Sequence, residues 1–365
     1  MIARFVGLAR RRAPRFLIAL AFSTLAGIGA AAFAQRPDGG QTAPGAQATS
    51  PASFSALPAV LEKKYRSVRS LVVARGGCVV FEYYRKDIGA GTRSPVYSVT
   101  KSVLSILIGV AIDRGYLRLD QKLSDWLPEA SEAKVDPLVR EIRVRDLLTM
   151  TAGFDPAGDD ASKISVPTSQ AWRWLLNRPM KYPPGTHFSY DTSDQNLLSI
   201  VLTRAIRQDA ALFARRNLFE PLRIEDYNWV TDADGYLIGA TALYLTARDM
   251  AKIGLLYLWH GRWGDSQIVS EAFALDSTAR HNEGGLPSNA AYGYFWWVGK
   301  TKSGLEAFFA AGHNSQLIYV VPKLDLVAAV AAESIPGGSQ SFVNDLVLPA
   351  EADLPASAPC IARIE

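Results

Sequence analysis

A chain of 365 residues, 48% hydrophobic and 20% charged, carries enough apolar material for a sizeable core arranged as one large or two modest domains. The formal charge of +4 is deceptive: residues 1–34 hold five arginines and no acids, so the remainder stands at −1 and nothing points to nucleic acid as a partner. Two cysteines and four histidines without a His-x-x-x-His spacing offer no metal-ligand pattern, so the expectation is an activity with neither metal nor cofactor.

In chain order, Arg4, Arg10, Arg11, Arg12 and Arg15 precede an apolar stretch that ends in Ala32-Phe33-Ala34. A positive start, an apolar middle and a small-x-small exit describe a secretory signal over 1–34, hence a periplasmic or secreted protein with no membrane partner after cleavage. Arg11-Arg12 fits twin-arginine export. Residues 35–53, rich in Gly, Pro, Gln, Ala, Thr and Ser, read as a flexible tether before a single domain over 54–350.

Helical spacing over 56–65 is followed by two β-runs, 70–75 and 78–84, around the Gly76-Gly77 turn. A long apolar helix begins at Ser98 and runs to about Gly115. From about 120 to 240 the texture is short helical segments (145–150, 169–176, 196–207) broken by Pro and Gly, which reads as a helical insert. Helical periodicity returns over 246–259, and strand texture over 294–298, 307–311, 317–321 and 326–330. Strands, helices, then strands imply an α+β fold: one sheet completed by both ends of the chain, flanked by helices, with an inserted all-helical domain. Residues 351–365 read as a loose tail. Cys78 and Cys360 are able to pair in an oxidising compartment, but the preferred reading is one buried strand cysteine and one separate tail cysteine.

The stretch richest in chemistry is Ser98-Val99-Thr100-Lys101, followed by the apolar run 102–111. Serine and lysine three apart at a helix start share one face, and a hydroxyl becomes nucleophilic when a desolvated amine takes its proton. A second match, Ser131-Glu132-Ala133-Lys134, sits among Pro128, Glu129 and Asp136 with no apolar run behind it, and is rejected as an exposed loop. Tyr190, between the Pro184-Gly185 turn and a helix that starts near Asn196, is the second base candidate. No Gly-x-Ser-x-Gly elbow exists. His187, His260 and His281 carry no assigned role, and Trp172, Trp174, Trp296 and Trp297 are assigned to the core.

Several ordered motifs add to this pair: 146–154, Pro184-Gly185-Thr186 with Tyr190, 247–254, Tyr292 to Trp297, and Gly312-His313-Asn314-Ser315-Gln316 ahead of Pro322. Together they resemble the class C β-lactamase-related serine hydrolases, which include penicillin-recognising peptidases, esterases and 6-aminohexanoate-oligomer hydrolases. The resemblance implies a β-lactamase/transpeptidase-like fold with an antiparallel sheet. It also implies hydrolysis of a small amide or ester through an acyl-enzyme on Ser98, with Lys101 and Tyr190 sharing proton transfer. Thr192 replaces the asparagine of the family's Tyr-x-Asn, and no lysine opens the third motif. The third motif is placed at His313-Asn314-Ser315, with Ala310-Ala311-Gly312 ranked second. The backbone N–H groups of Ser98 and Gln316 are the expected oxyanion donors. These departures favour the esterase and oligomer-hydrolase branch over a β-lactamase or D,D-peptidase. An inactive ligand-binding protein of the same fold is the alternative of another class.

Overall fold

The computed structural model describes residues 54–163, 169–352 and 360–364, so the expected signal and tether lie outside the described residues. Helix α1 (Leu57–Lys64) leads into strands β1 (Val68–Arg75) and β2 (Cys78–Tyr84), joined by Gly76 and Gly77 at φ of 56° and 73°. Helix α2 (Val99–Asp113) follows, then the insert with helix α3 (Gln195–Ile206), then helix α4 (Ala247–Leu258). The chain returns to strand with β3 (Asn282–Gly285), β4 (Ala290–Tyr292), β5 (Trp297–Lys300), β6 (Glu306–Gly312), β7 (Gln316–Val321) and β8 (Leu326–Ala332), and ends in β9 (Ala362–Arg363).

One nine-stranded sheet takes the order β9-β2-β1-β8-β7-β6-β5-β4-β3, with every pair antiparallel. The amino-terminal hairpin therefore pairs with the late strand β8, as the strand–helix–strand order implied. β7 and β8 are buried along their whole length, which is why they read as continuous apolar runs rather than alternating ones. On one face lies α4, brought close by Gly254: a Cβ there would sit 2.5 Å from Val327 Cγ1 and 2.8 Å from Ile318 Cγ2. Helix α2 packs against β6 and β7 and against α3, and residues Val99 to Ala111 are all buried. It is a core rod whose first turn is held still on every side.

Four expectations are corrected. The aromatic run 294–298 is strand only from Trp297; Phe295 takes φ 61° and its N–H bonds the Leu148 carbonyl, so the preceding rings fill core from a loop rather than a ladder. The insert is bounded by a little sheet in which Leu243–Leu245 pairs with both Ser94–Pro95 and Asn228–Trp229. The tail is not loose at its end, and the cysteines are not separate. Cys78 and Cys360 form a disulfide across 282 residues, and Ala362–Arg363 pairs with β2 at the sheet edge farthest from β3.

A crosslink closing so long a loop removes much entropy from the unfolded chain. Cys360→Ser should lower unfolding stability by about 2–5 kcal/mol, read as a shifted denaturant midpoint. Turnover below the transition should stay unchanged, because three strands separate β2 from β6.

Candidate active site

Ser98 is the residue ahead of the first turn of α2, where a serine hydroxyl ordinarily accepts from a helix N–H. Here it caps nothing. Its Oγ meets Lys101 Nζ at 3.0 Å, and the same Nζ donates to the Ala240 carbonyl at 3.0 Å. Lys101 is 1% exposed, so both acceptors are needed to hold a polar head group in the core. The turn is tied down by Thr100 Oγ1, which accepts from Leu243 N–H at 3.2 Å, and by Ser102 Oγ, which donates to the Phe295 carbonyl at 2.6 Å. Tyr97, just before the serine, takes φ 46°, a left-handed conformation rare for a bulky residue. It is braced by an edge-on contact with His313 at 5.4 Å between centroids. The other Ser-x-x-Lys match has both Ser131 and Lys134 exposed.

Tyr190 reaches the site by its face. Lys101 Nζ lies 5.3 Å from the centre of its ring, a cation–π distance. Its hydroxyl makes no hydrogen bond to Ser98 or Lys101, so the expected three-way contact holds for the serine and lysine and is a ring contact for the phenol. Trp297 stacks on the same ring at 5.6 Å and 15°, and Tyr292 meets it edge-on at 6.4 Å. Trp297 thus serves core and site together.

The Tyr190 loop is built around carboxylates that were not anticipated. Asp191 forms a buried pair with Arg178, Nη2 to Oδ2 at 2.5 Å, and its Oδ1 accepts from the N–H groups of Ser193 and Asp194 at 2.9 Å. Asp159 accepts from the N–H of Thr192 at 2.9 Å and of Ser193 at 3.0 Å, and also from the Ser193 hydroxyl. Thr192 is thereby held by its backbone and stands half-buried two residues beyond Tyr190. No sequence signal marks Asp159, which lies over thirty residues from the loop it clamps. Asp191 and Asp194 flank the motif, but their roles depend on the partner Arg178.

The loop expected to hold the third motif approaches the nucleophile through the glycine that precedes it. His313-Asn314-Ser315 is the loop joining β6 to β7, with Asn314 and Ser315 at φ of 56° and 66°. The residue against the nucleophile is Gly312, where a Cβ would lie 2.4 Å from the Val96 carbonyl and 3.2 Å from the Ser98 nitrogen. Only glycine fits there, so Gly312 is the end of β6 that lies beside Ser98. Gln316 is corrected as an oxyanion donor: its N–H closes the loop onto the His313 carbonyl. Its side chain, 2% exposed, donates to the carbonyls of Ala332 at 2.6 Å and Asn314 at 3.2 Å. His313 itself is exposed beside Tyr97. The Ser98 N–H, by contrast, has no partner among the described residues. Pairing of β5 with β6 ends at Trp297 and Phe309, leaving the last residues of β6 with a free edge on that side.

Behind Tyr190, burial raises the Asp194 carboxyl well above its ordinary 3.8, and the charge of Asp191 pushes the same way. Its Oδ1 is buried without a partner. Burial likewise holds the Tyr292 phenol well above 10, helped by Tyr190 and Asp194. A carboxyl that binds its proton more tightly when folded costs stability as pH climbs from about 4 through its native titration. Asp194→Asn removes that cost. Its melting temperature should match wild type near pH 4 and exceed it increasingly toward pH 8, in thermal unfolding at fixed ionic strength. Among the described residues no group of three or more His, Cys, Asp or Glu is placed to hold a metal ion, and no helix is long and apolar enough to cross a membrane.

With this geometry in hand, similarity to known proteins takes a definite form. A 6-aminohexanoate-dimer hydrolase of Paenarthrobacter ureafaciens is 23% identical over 280 residues, 71% of this chain and 70% of that protein. Esterase EstB of Burkholderia gladioli is 25% identical over 204 residues, 48% of this chain and 51% of that protein. Among solved structures, the octameric penicillin-binding protein homologue of Pyrococcus abyssi superposes with a TM-score of 0.66 at 17% identity, covering 81% of this chain and 76% of that one. The fold is thus the β-lactamase/transpeptidase-like one expected from the motif order. The profile of the Beta-lactamase family matches residues 36–350, nearly the whole chain. The chain belongs to the Beta-lactamase family of serine hydrolases.

Proposed function

We propose that this protein hydrolyses small esters or amides through an acyl-enzyme on Ser98. The observation that carries the reading is the buried Lys101 amine, 3.0 Å from the Ser98 hydroxyl and anchored on the Ala240 carbonyl. In the first step the Ser98 proton passes to the Lys101 amine while Oγ adds to the substrate carbonyl carbon. Charge then develops on the carbonyl oxygen. In this reading the Ser98 N–H and the edge of β6 beside Gly312 receive it, which the Ser98 N–H's lack of a partner among the described residues supports. The proton goes on to the leaving alkoxide or amine, which departs with it, and water, deprotonated by the same base, releases the acid and restores the serine.

Tyr190 enters as the proton's second station. Its ring already lies against Lys101, and its hydroxyl is assigned delivery of the proton to the leaving group. The strand beside the nucleophile carries Ala310 and Ala311, which give a substrate carboxylate no cation to pair with. That counts against β-lactams, whose ring carboxylate would want a cation beside the nucleophile. The names of two relatives, a 6-aminohexanoate-dimer hydrolase and an esterase, agree with amides and esters.

Ser98→Ala should lower p-nitrophenyl ester turnover by about 10³-fold or more, and Lys101→Met comparably, with both variants folded by circular dichroism. Tyr190→Phe keeps the ring on Lys101 and loses only the hydroxyl. It should cost about 10²-fold in kcat; wild-type turnover by Tyr190→Phe would remove the phenol from the mechanism, and by Ser98→Ala would end the whole reading.

We also infer export. The disulfide persists in an oxidising compartment, and the arginine-led apolar segment over 1–34 supplies the address. Mass spectrometry of the protein expressed in a bacterial host should find a mature amino terminus just beyond Ala34; an intact Met1 would refute cleavage.

A further inference from the structure

The Lys101 head group depends on one backbone carbonyl, and something must hold that carbonyl in place. Ala240 follows Gly239, and the Gly239 N–H donates to Asn196 Oδ1 at 2.9 Å. The other end of the same amide, Nδ2, donates to the Ser193 carbonyl at 3.0 Å, in the loop that carries Tyr190. A backbone N–H only donates and a carbonyl only accepts, so the two partners fix which way the Asn196 amide faces. Asn196 is 4% exposed, leaving no water to replace either bond. A local side-chain-to-backbone bond accounts for the contact with Ser193, three residues back. It does not explain the bond to Gly239, 43 residues away.

Gly239 is pinned from the other side. A Cβ there would stand 2.8 Å from Leu104 Cδ2 on α2 and 3.2 Å from the Gln195 carbonyl. The segment carrying Ala240 is therefore wedged between α2 and α3, with the Asn196 amide as its polar tie. We propose that Asn196 is a positioning residue, a single side chain that couples the Tyr190 loop to the carbonyl anchoring Lys101 and so sets how Ser98 is activated. The proposal rests on the serine-hydrolase reading given above. Asn196 touches neither Ser98 nor Lys101 directly; it acts through Gly239–Ala240 on one side and Ser193 on the other.

The test compares wild type with Asn196→Leu, similar in size and devoid of both hydrogen bonds, and with Asn196→Asp, which keeps an acceptor for Gly239. A control is Asn344→Leu: Asn344 also makes side-chain bonds to backbone (Lys302 N–H at 2.8 Å, the Gln340 carbonyl at 2.9 Å), but lies between the carboxy-terminal helical segment and the sheet. The readouts are the rate of Ser98 phosphonylation by a fluorophosphonate probe, kcat and KM on a p-nitrophenyl ester, and the melting temperature. Asn196→Leu should slow labelling and lower kcat by about tenfold or more with KM held within about twofold. Asn196→Asp should recover part of that loss, and Asn344→Leu should lower the melting temperature while labelling at the wild-type rate.

Wild-type labelling by Asn196→Leu overturns the proposal, and so does an equal slowing by Asn344→Leu, which would make the effect one of stability alone. If Asn196→Leu does not fold, Gly239→Ala displaces the same carbonyl from the α2 side and should slow labelling alike; a wild-type rate there overturns the proposal too. A wild-type protein that neither labels nor turns over ester sinks the serine-hydrolase reading itself, and this inference with it.

Discussion

A lysine head group 1% exposed to solvent must find acceptors inside the protein or unfold the region around it. Lys101 finds two, the Ser98 hydroxyl and the Ala240 carbonyl. Much of the surrounding structure exists to keep those two atoms where they are. Helix α2 is buried from Val99 to Ala111, so its first turn cannot tilt. Thr100 and Ser102 bind the flanking backbone instead of solvent. Tyr97 accepts a left-handed backbone so that the chain enters the helix at the required angle. An unfavourable conformation at that position is sustained by the packing around it.

The second constraint is polar. The loop bearing Tyr190 has no regular secondary structure, and its shape comes from carboxylates: Asp191 on Arg178, and Asp159 on two consecutive N–H groups. A buried ion pair such as Arg178–Asp191 contributes little net stability, because desolvating both partners offsets much of their attraction. Its value here is geometric. It fixes a loop whose tyrosine must lie over the lysine, and the stacked Trp297 and edge-on Tyr292 complete the enclosure. The cost of this arrangement is visible in Asp194, a buried carboxyl with an unpartnered oxygen that binds its proton more tightly than an exposed one would.

The disulfide and the last strand work at the other end of the molecule. β9 covers the outer edge of β2, and Cys360 locks it there, so an otherwise open edge is paired. The sheet keeps a free edge at the end of β6, beside Ser98.

Local chemistry was legible in the residues themselves. The apolar run behind Ser98, the paired β-runs around Gly76-Gly77 and the strand–helix–strand order led to the right fold, because periodicity and turn residues act over a few positions and carry their meaning with them. The Ser98–Lys101 pair was legible for the same reason: three residues on a helix is a distance. Long-range pairings were not. Gln316 looked free to receive substrate until the hairpin loop engaged its N–H, and nothing in the spacing showed that Val96 and Ser98 close on Gly312. Cys78 and Cys360 carry no spacing that announces a bond across 282 residues. Which carbonyl receives Lys101, which acid clamps the tyrosine loop and which face of Tyr190 meets the amine were all decided by packing, since each joins groups whose separation along the chain says nothing about their separation in space.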